Sequence, residues 1–405
     1  MSRIACAALC AAICAPASAA DWPNWRGPNH DGTSAEKIVA WPAEGPKLLW
    51  KAEVGPGHAA PSVHGGKVYI MGRAAKDDVI FSFHAETGSN VWKYAYAAGQ
   101  SAYGIGPRAA PAVDGKLVYT LSADGQSFCL DAETGKPVWS KNLAKELNLP
   151  MPRNHFSTSP VLDGALLLFN VGVSGLALDK ATGNVIWKSE GDSSYSSPVP
   201  FNFAGKRCVA LGAAGQVVVV DEASGKKIAA VERQVRDNAQ CADPVIVGAD
   251  LFVTTGYNVG SALVGISGTN ATVIWKKGYG CVYATPVLVG DCLYALIESG
   301  WQKADLVCVT VKDGTEKWRL KDVGTGGLIL AGGKLLILSR AGELILAEAS
   351  PAAYKELARS KIFPEGAAGG SPKPAACWNG PVLSDGRVYA RNEKGVLVCV
   401  DVSGK

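Results

Sequence analysis

The chain has little methionine, three residues in 405, and little charge, with Asp, Glu, Lys and Arg together at 19%. After its first twenty residues it also has no sustained helical periodicity, so no amphipathic helix is on offer for a membrane surface. A net charge of +4 without any Lys/Arg-rich stripe leaves no electrostatic footprint for nucleic acid. There is no Cys-x-x-Cys, no Gly-rich phosphate loop, no Gly-x-Ser-x-Gly elbow and no readable Ser/His/Asp order. Dithiol redox, nucleotide-phosphate and acyl-transfer signatures are therefore all missing. His58, His64 and His155 are too scattered for a metal-ligand pattern.

What the chain does have is a repeat. Thr-Gly followed by Trp occurs in AETGSNVW ending at Trp92, AETGKPVW at Trp139 and KATGNVIW at Trp187. Degenerate copies follow in EASGKKIA, which puts Ala229 in the Trp position, TNATVIW at Trp275 and KDGTEKW at Trp318, and PKLLW at Trp50 is an orphan copy of the Trp strand. The anchors lie 42 to 48 residues apart, the length of one four-stranded propeller blade. Between them run segments such as GKLVYTLS, DLFVTTGY and CLYALIES, bounded by Gly and Asp-Gly, which read as strands and hairpins. Pro61, Pro111, Pro160, Pro198, Pro244, Pro286 and Pro381 open the first strand of most repeats, and Ile329 fills the seventh slot.

Eight openings predict an all-β, eight-bladed propeller of four-stranded antiparallel blades over residues 46–405. The last repeat holds three strands, and PKLLW is an unpartnered fourth, so the N-terminal strand is expected to join the C-terminal blade and close the ring. Trp50, Trp92, Trp139, Trp187, Trp275 and Trp318 are expected to dock between neighbouring blades. Asp131, Asp179 and Asp221, each followed by Thr-Gly or Ser-Gly, read as turn residues. The longest loops are expected to be KNLAKELNLPMPRNHF before blade three and SRAGELILAEASPAAYKELARSKIFPEG in blade seven.

Residues 1–20, with Arg3, an apolar run and the ending Ala17-Ser18-Ala19-Ala20, read as a cleaved secretory signal. Neither Cys10 nor Cys14 sits in a good lipoprotein context, which favours a soluble protein of the periplasm or exterior with no transmembrane segment. Removing Cys6, Cys10 and Cys14 leaves eight cysteines of the eleven. Cys129, Cys308 and Cys399 share one repeat position and read as small buried hydrophobes of third strands rather than disulfide partners. Residues 21–45 form a separate segment, and its opening DWPNWRGPNHDGTS is expected to pack on the rim or the channel mouth.

The LDAETGKPVW pattern and its variants resemble the tryptophan-docking repeat of the eight-bladed quinoprotein propellers over nearly all of the mature chain, and the Trp-Arg-Gly-Pro opening is similar to that of exported bacterial propellers with these repeats. The resemblance implies one of two classes. One comprises pyrroloquinoline-quinone (PQQ) dehydrogenases, which hold the quinone and usually Ca²⁺ at the channel mouth and oxidise alcohols or sugars. The other comprises non-enzymatic propellers similar to the outer-membrane assembly factor BamB, whose ring is a protein-binding surface. An adjacent Cys-Cys pair, frequent in the dehydrogenases, is missing here, and the loops are short. The expectation is therefore a non-catalytic binding or scaffold protein, a monomer, with a protein or cell-envelope partner on one ring face and no cofactor. The alternative is a PQQ-dependent oxidoreductase using PQQ with Ca²⁺, and carbohydrate binding through Trp378 and Trp301 is a third reading.

Loops that lead into the innermost strands converge on a propeller axis, so ligand-binding candidates come from them: His58, Arg108, Tyr195, Asp243, Tyr283, Trp378 and Asn379. Trp378 or a Tyr could stack on a planar ligand, Arg108 could grip a carboxylate or quinone oxygen, and Asp243 with Asn379 could offer oxygen ligands to a cation. The competing reading is that the same residues simply fill a narrow polar channel. No catalytic residue and no metal cluster are expected.

Overall fold

Each period of the repeat folds into one antiparallel sheet. The computed structural model describes residues 21–99, 106–172, 174–189, 192–235, 238–300, 302–363 and 375–404; the secretory signal read in residues 1–20, and Trp301, lie outside them. Eight antiparallel four-stranded blades succeed one another, the seventh extended to five strands by a short parallel strand from the N-terminal segment, and the only α-helix among the described residues is the single turn Leu143–Glu146. The repeat prolines sit just before the innermost strands, among them Ser62–His64, Ala112–Asp114 and Val382–Ser384. The seventh innermost strand, Gly326–Ala331, opens without one.

The ring closes as the strand count requires. Leu48–Glu53 pairs antiparallel with Val396–Asp401, so Trp50 stands opposite Cys399 and the last blade receives its outermost strand from the start of the chain. One expectation needs correction: the long segment of blade seven is not a loop but carries the two outer strands, Glu343–Glu348 and Glu356–Lys361. Its turn, Ser350-Pro-Ala-Ala, lacks the Thr-Gly pair that marks this position elsewhere, so the hairpin gave no punctuation to read.

The Trp-Gly period has a direct structural cause. Each docking indole donates its N–H to a backbone carbonyl in the third-to-fourth-strand turn of the next blade. Trp50 bonds Ala85 O at 2.9 Å, Trp92 Ala132 O at 2.9 Å, Trp139 Lys180 O at 3.0 Å and Trp187 Glu222 O at 2.6 Å. Trp275 and Trp318 continue the series to Val311 O and Ser350 O, both at 2.8 Å. The ring plane then covers the turn glycine. A Cβ at Gly135 would come within 2.6 Å of Trp92, and one at Gly225 within 2.3 Å of Trp187. These glycines also hold φ of +69° and +67°, so the turn geometry and the indole exclude a side chain independently. Where Ala229 replaces Trp, the next turn glycine, Gly268, faces open space.

Within a blade the same register line explains the cysteines. Tyr119, Cys129 and Trp139 lie side by side across three strands, as do Tyr294, Cys308, Trp318 and Tyr389, Cys399, Trp50. The small third-strand residue lets the flanking rings tilt together over it, with centroids 6.2, 5.9 and 5.8 Å apart. All three thiols are buried and unpaired, and burial pushes Cys129 up to about 11 and Cys399 up to about 12. On the outer turns, Asp131 Oδ1 accepts from Thr134 N and Oγ1, both at 2.8 Å, and Asp179 and Asp221 repeat the pattern with Thr182 and Ser224.

Two glycine variants separate the causes of this geometry. Gly268→Ala meets only the backbone penalty of about 1 kcal/mol. Gly225→Ala must also displace the Trp187 indole and should cost about 2–4 kcal/mol. Urea denaturation of both variants would detect the difference; equal losses would mean that the indole does not select the glycine.

Candidate functional site

The segment ahead of the ring occupies its axis. Trp22 bridges Val63 with both backbone bonds at 2.9 Å, and Pro23 O accepts from Val113 N at 2.9 Å. Arg26 donates to Thr285 O at 3.1 Å and Pro286 O at 3.0 Å, and Thr33–Ser34 run parallel to Leu330–Ala331. Glu36 Oε2 then accepts from Gly386 N at 2.7 Å. These partners belong to the innermost strands, or their ends, of blades one, two, six, seven and eight. Innermost strands face the axis, so a chain bonded to several of them at once fills the channel.

Asp243 is where this plug meets blades four and five. Its Oδ2 accepts from Trp25 Nε1 at 2.7 Å and its Oδ1 from Ser197 N at 2.7 Å, while its own N–H goes to Thr285 Oγ1 at 2.9 Å. The side chain is only 2% exposed. Burial pushes its carboxyl above the usual range, against the pull of Arg26 and the donors it accepts from.

Beyond the plug, the approach loops form a mouth. Trp378 is its centre: His58 stacks on it at 5.0 Å and 30°, Tyr283 meets it edge-on at 5.1 Å and 81°, and the Arg340 guanidinium lies 4.3 Å from its ring centroid. Trp378 Nε1 donates to Glu393 Oε2 at 2.9 Å, and Asn379 Nδ2 donates to His58 O. Tyr283 and Tyr257 place their hydroxyls 3.4 Å apart. Across the mouth Arg108 donates to Asn154 O, whose N–H is held by Tyr195 Oη at 3.1 Å. Between plug and mouth remains a cavity of about 50 Å³, touched by Asn24, Trp25, Tyr283, Trp378 and Asn379. It has room for a few waters and nothing larger.

His58 is lowered to about 4, first by burial and then by Arg108, Arg391 and Arg340, with Glu393 alone opposing. Of the sequence candidates, His58, Tyr283, Trp378 and Asn379 come together, Arg108 and Tyr195 form a second group, and Asp243 lies beneath with both oxygens engaged. Sequence reasoning missed Arg340, Tyr257 and Glu393, which sit in or beside turns between second and third strands. In an antiparallel blade those turns lie at the same end as the approach loops, so SRAGE and RNEKG should have been read with them. Among the described residues no three His, Cys, Asp or Glu side chains stand together as a metal site, and no helix is long and apolar enough to cross a membrane.

A family model described as outer membrane protein assembly factor BamB matches residues 32–146 and 76–320. BamB from Moraxella catarrhalis superposes with a TM-score of 0.61 at 15% identity, over 88% of this chain and 99% of that one. The quinohemoprotein alcohol dehydrogenase of Comamonas testosteroni gives 0.65 at 15%, over 95% and 81%, and a europium-containing methanol dehydrogenase gives 0.63 at 13%, over 94% and 89%. At such identities the likeness is one of fold. No curated protein matches the chain by sequence.

Two outcomes follow from these contacts. Asp243→Asn turns one acceptor into a donor facing donors, and should cost about 3 kcal/mol and expose the Trp25 segment to protease; an unchanged melt and digest would refute the plug. For His58, a folded pKa near 4 instead of 6.5 means that the unfolded chain takes up the proton first as pH falls. Stability should be complete above about pH 6.5 and decline toward about pH 4. His58→Phe keeps the stack without the titration and should flatten that part of a pH series of thermal melts.

Proposed function

The chain belongs to the family described as outer membrane protein assembly factor BamB, and on that premise we propose that it is an exported, non-catalytic propeller whose ring presents a binding surface to a protein or cell-envelope partner. Export rests on residues 1–20, which read as a cleaved signal. The observation that carries the rest is the state of Asp243. It is the one sequence-identified carboxylate beside the axis, and it is spent on Trp25 and Ser197 instead of facing a ligand.

The residues present do not fit PQQ with a cation. Trp378, the ring on which a planar cofactor would lie, already carries His58 and Arg340. The axial cavity of about 50 Å³ lies far below the few hundred Å³ that a cofactor pocket needs. Among the described residues no carboxylate set surrounds it to hold a divalent ion.

The purified protein is to be titrated with PQQ, with and without Ca²⁺, following quinone absorbance and dye reduction across simple alcohols and sugars. Neither stoichiometric binding nor dye reduction is expected. Tight binding accompanied by dye reduction would replace the scaffold by an oxidoreductase.

A further inference from the structure

One position of the repeat changes chemistry in adjacent blades. Two residues past the second-strand member of the line that runs to the docking Trp, blades one, two, six and seven bury Met71, Leu121, Leu296 and Leu338. Blades five and eight place polar groups there, and the protein partners both. Thr254 Oγ1 meets Ser261 Oγ at 2.8 Å and accepts from Cys281 N at 2.9 Å, while Arg391 donates to Met71 O and Gly55 O at 2.9 and 2.8 Å. Blades three and four have Asn170 and Gly212 instead. Asn170 Nδ2 donates to Gly212 O at 2.6 Å and to Ser196 O at 3.2 Å, which ties the two blades together.

The missing side chain of Gly212 leaves a space that polar atoms border. A Cβ there would stand 2.5 Å from Ser196 Oγ, 2.9 Å from Ser194 Oγ and 3.0 Å from Gln240 Nε2. Ser194 Oγ is engaged, donating to Gln240 O at 3.0 Å. Asn170 Oδ1, Ser196 Oγ and both amide atoms of Gln240 have no protein partner, although none of these three residues is more than 1% exposed. Buried polar atoms are costly to leave unbonded, so four of them gathered in one joint call for a ligand. Their chemistry identifies it. Gln240 Nε2 only donates, Asn170 Oδ1 and Gln240 Oε1 only accept, and Ser196 Oγ does both. Turning the Gln240 amide over leaves the same mixture. A cation would face a donor and an anion would face acceptors, and none of the four atoms carries a charge to hold either. Water donates and accepts.

We propose that this joint is a hydration site, in which one or two ordered water molecules bridge Ser196, Gln240 and Asn170 where blades three, four and five meet. The site lies in the junction after blade four, where Ala229 stands in place of a docking Trp. It also sits behind the axis: Gln240 O accepts from Tyr195 N at 3.1 Å, and Asp243, three residues further on, accepts from Ser197 N at 2.7 Å. The bound water is thus the part that fixes the two approach loops carrying Tyr195 and Asp243, whether the ring serves as a scaffold or otherwise.

A high-resolution crystal structure of the purified protein tests this directly. Solvent density is expected at about 2.7–3.2 Å from Ser196 Oγ and the Gln240 amide. In solution, oxygen-17 relaxation dispersion of water counts long-lived internal molecules, and Gln240→Met, which keeps the length without polar atoms, should lose about one or two of them. The same variant should speed hydrogen exchange of the Tyr195 amide about tenfold. Three results would each overturn the proposal: side chains bonded directly to one another with no density between them, a shell of oxygens at the about 2.3–2.6 Å of a bound cation, or an unchanged water count in the folded variant. If Gln240→Met does not fold, the density in the wild-type protein decides alone.

Discussion

An indole laid across the next blade's turn is the contact on which the ring depends. Six of the eight junctions carry the Trp N–H to carbonyl bond, from Trp50 onto Ala85 round to Trp318 onto Ser350. In five of them a positive-φ glycine receives the ring face. Each bond is worth only about 1 kcal/mol net, but the buried indole adds several times that. Since every junction joins two blades, the contacts act in series around a closed circle. The two junctions without a docking Trp are those after blades four and seven, and after blade seven Trp41 of the N-terminal segment packs into the neighbouring core and bonds Ser360 Oγ at 3.2 Å.

This is why the fold was legible. The Trp-Gly period is not a statistical habit of strands but the trace of a three-dimensional contact repeated at constant spacing, and the repeat prolines and the orphan PKLLW fixed blade number and closure. Legibility failed where the contact changed chemistry. In blade seven Tyr354 packs on Trp318 at 5.7 Å in place of a turn glycine, and the hairpin around it read as a loop. The cysteines were legible as small core residues, although the reason, two large rings tilting over them, needs the register between strands.

The mouth was half legible. Searching the approach loops found His58, Tyr283, Trp378 and Asn379, because each lies at a fixed offset from a repeat opening. It missed Arg340 and Glu393, which reach the same space from another pair of strands 53 residues apart in sequence. It also gave Asp243 an outward role that only the fate of Trp25 could correct. The shared cause is that a propeller assembles its axis from loops remote in sequence, so which side chains meet there follows from ring geometry and not from local pattern.

The N-terminal segment is made first, yet several of its bonds are to residues made last. Glu36 meets Gly386 and Thr33 meets Leu330 across some three hundred residues, and Leu48–Glu53 completes a sheet whose other strands end the chain. Such pairings span nearly the whole chain, and loop closure over that separation slows the final step of folding. A growing chain can form blades one to seven in turn, but its opening strand Leu48–Glu53 stays unpartnered until the final blade emerges. Synthesis of the last blade must then be complete before the circle can lock, and in that interval the free edges at both ends are where aggregation or a chaperone would act.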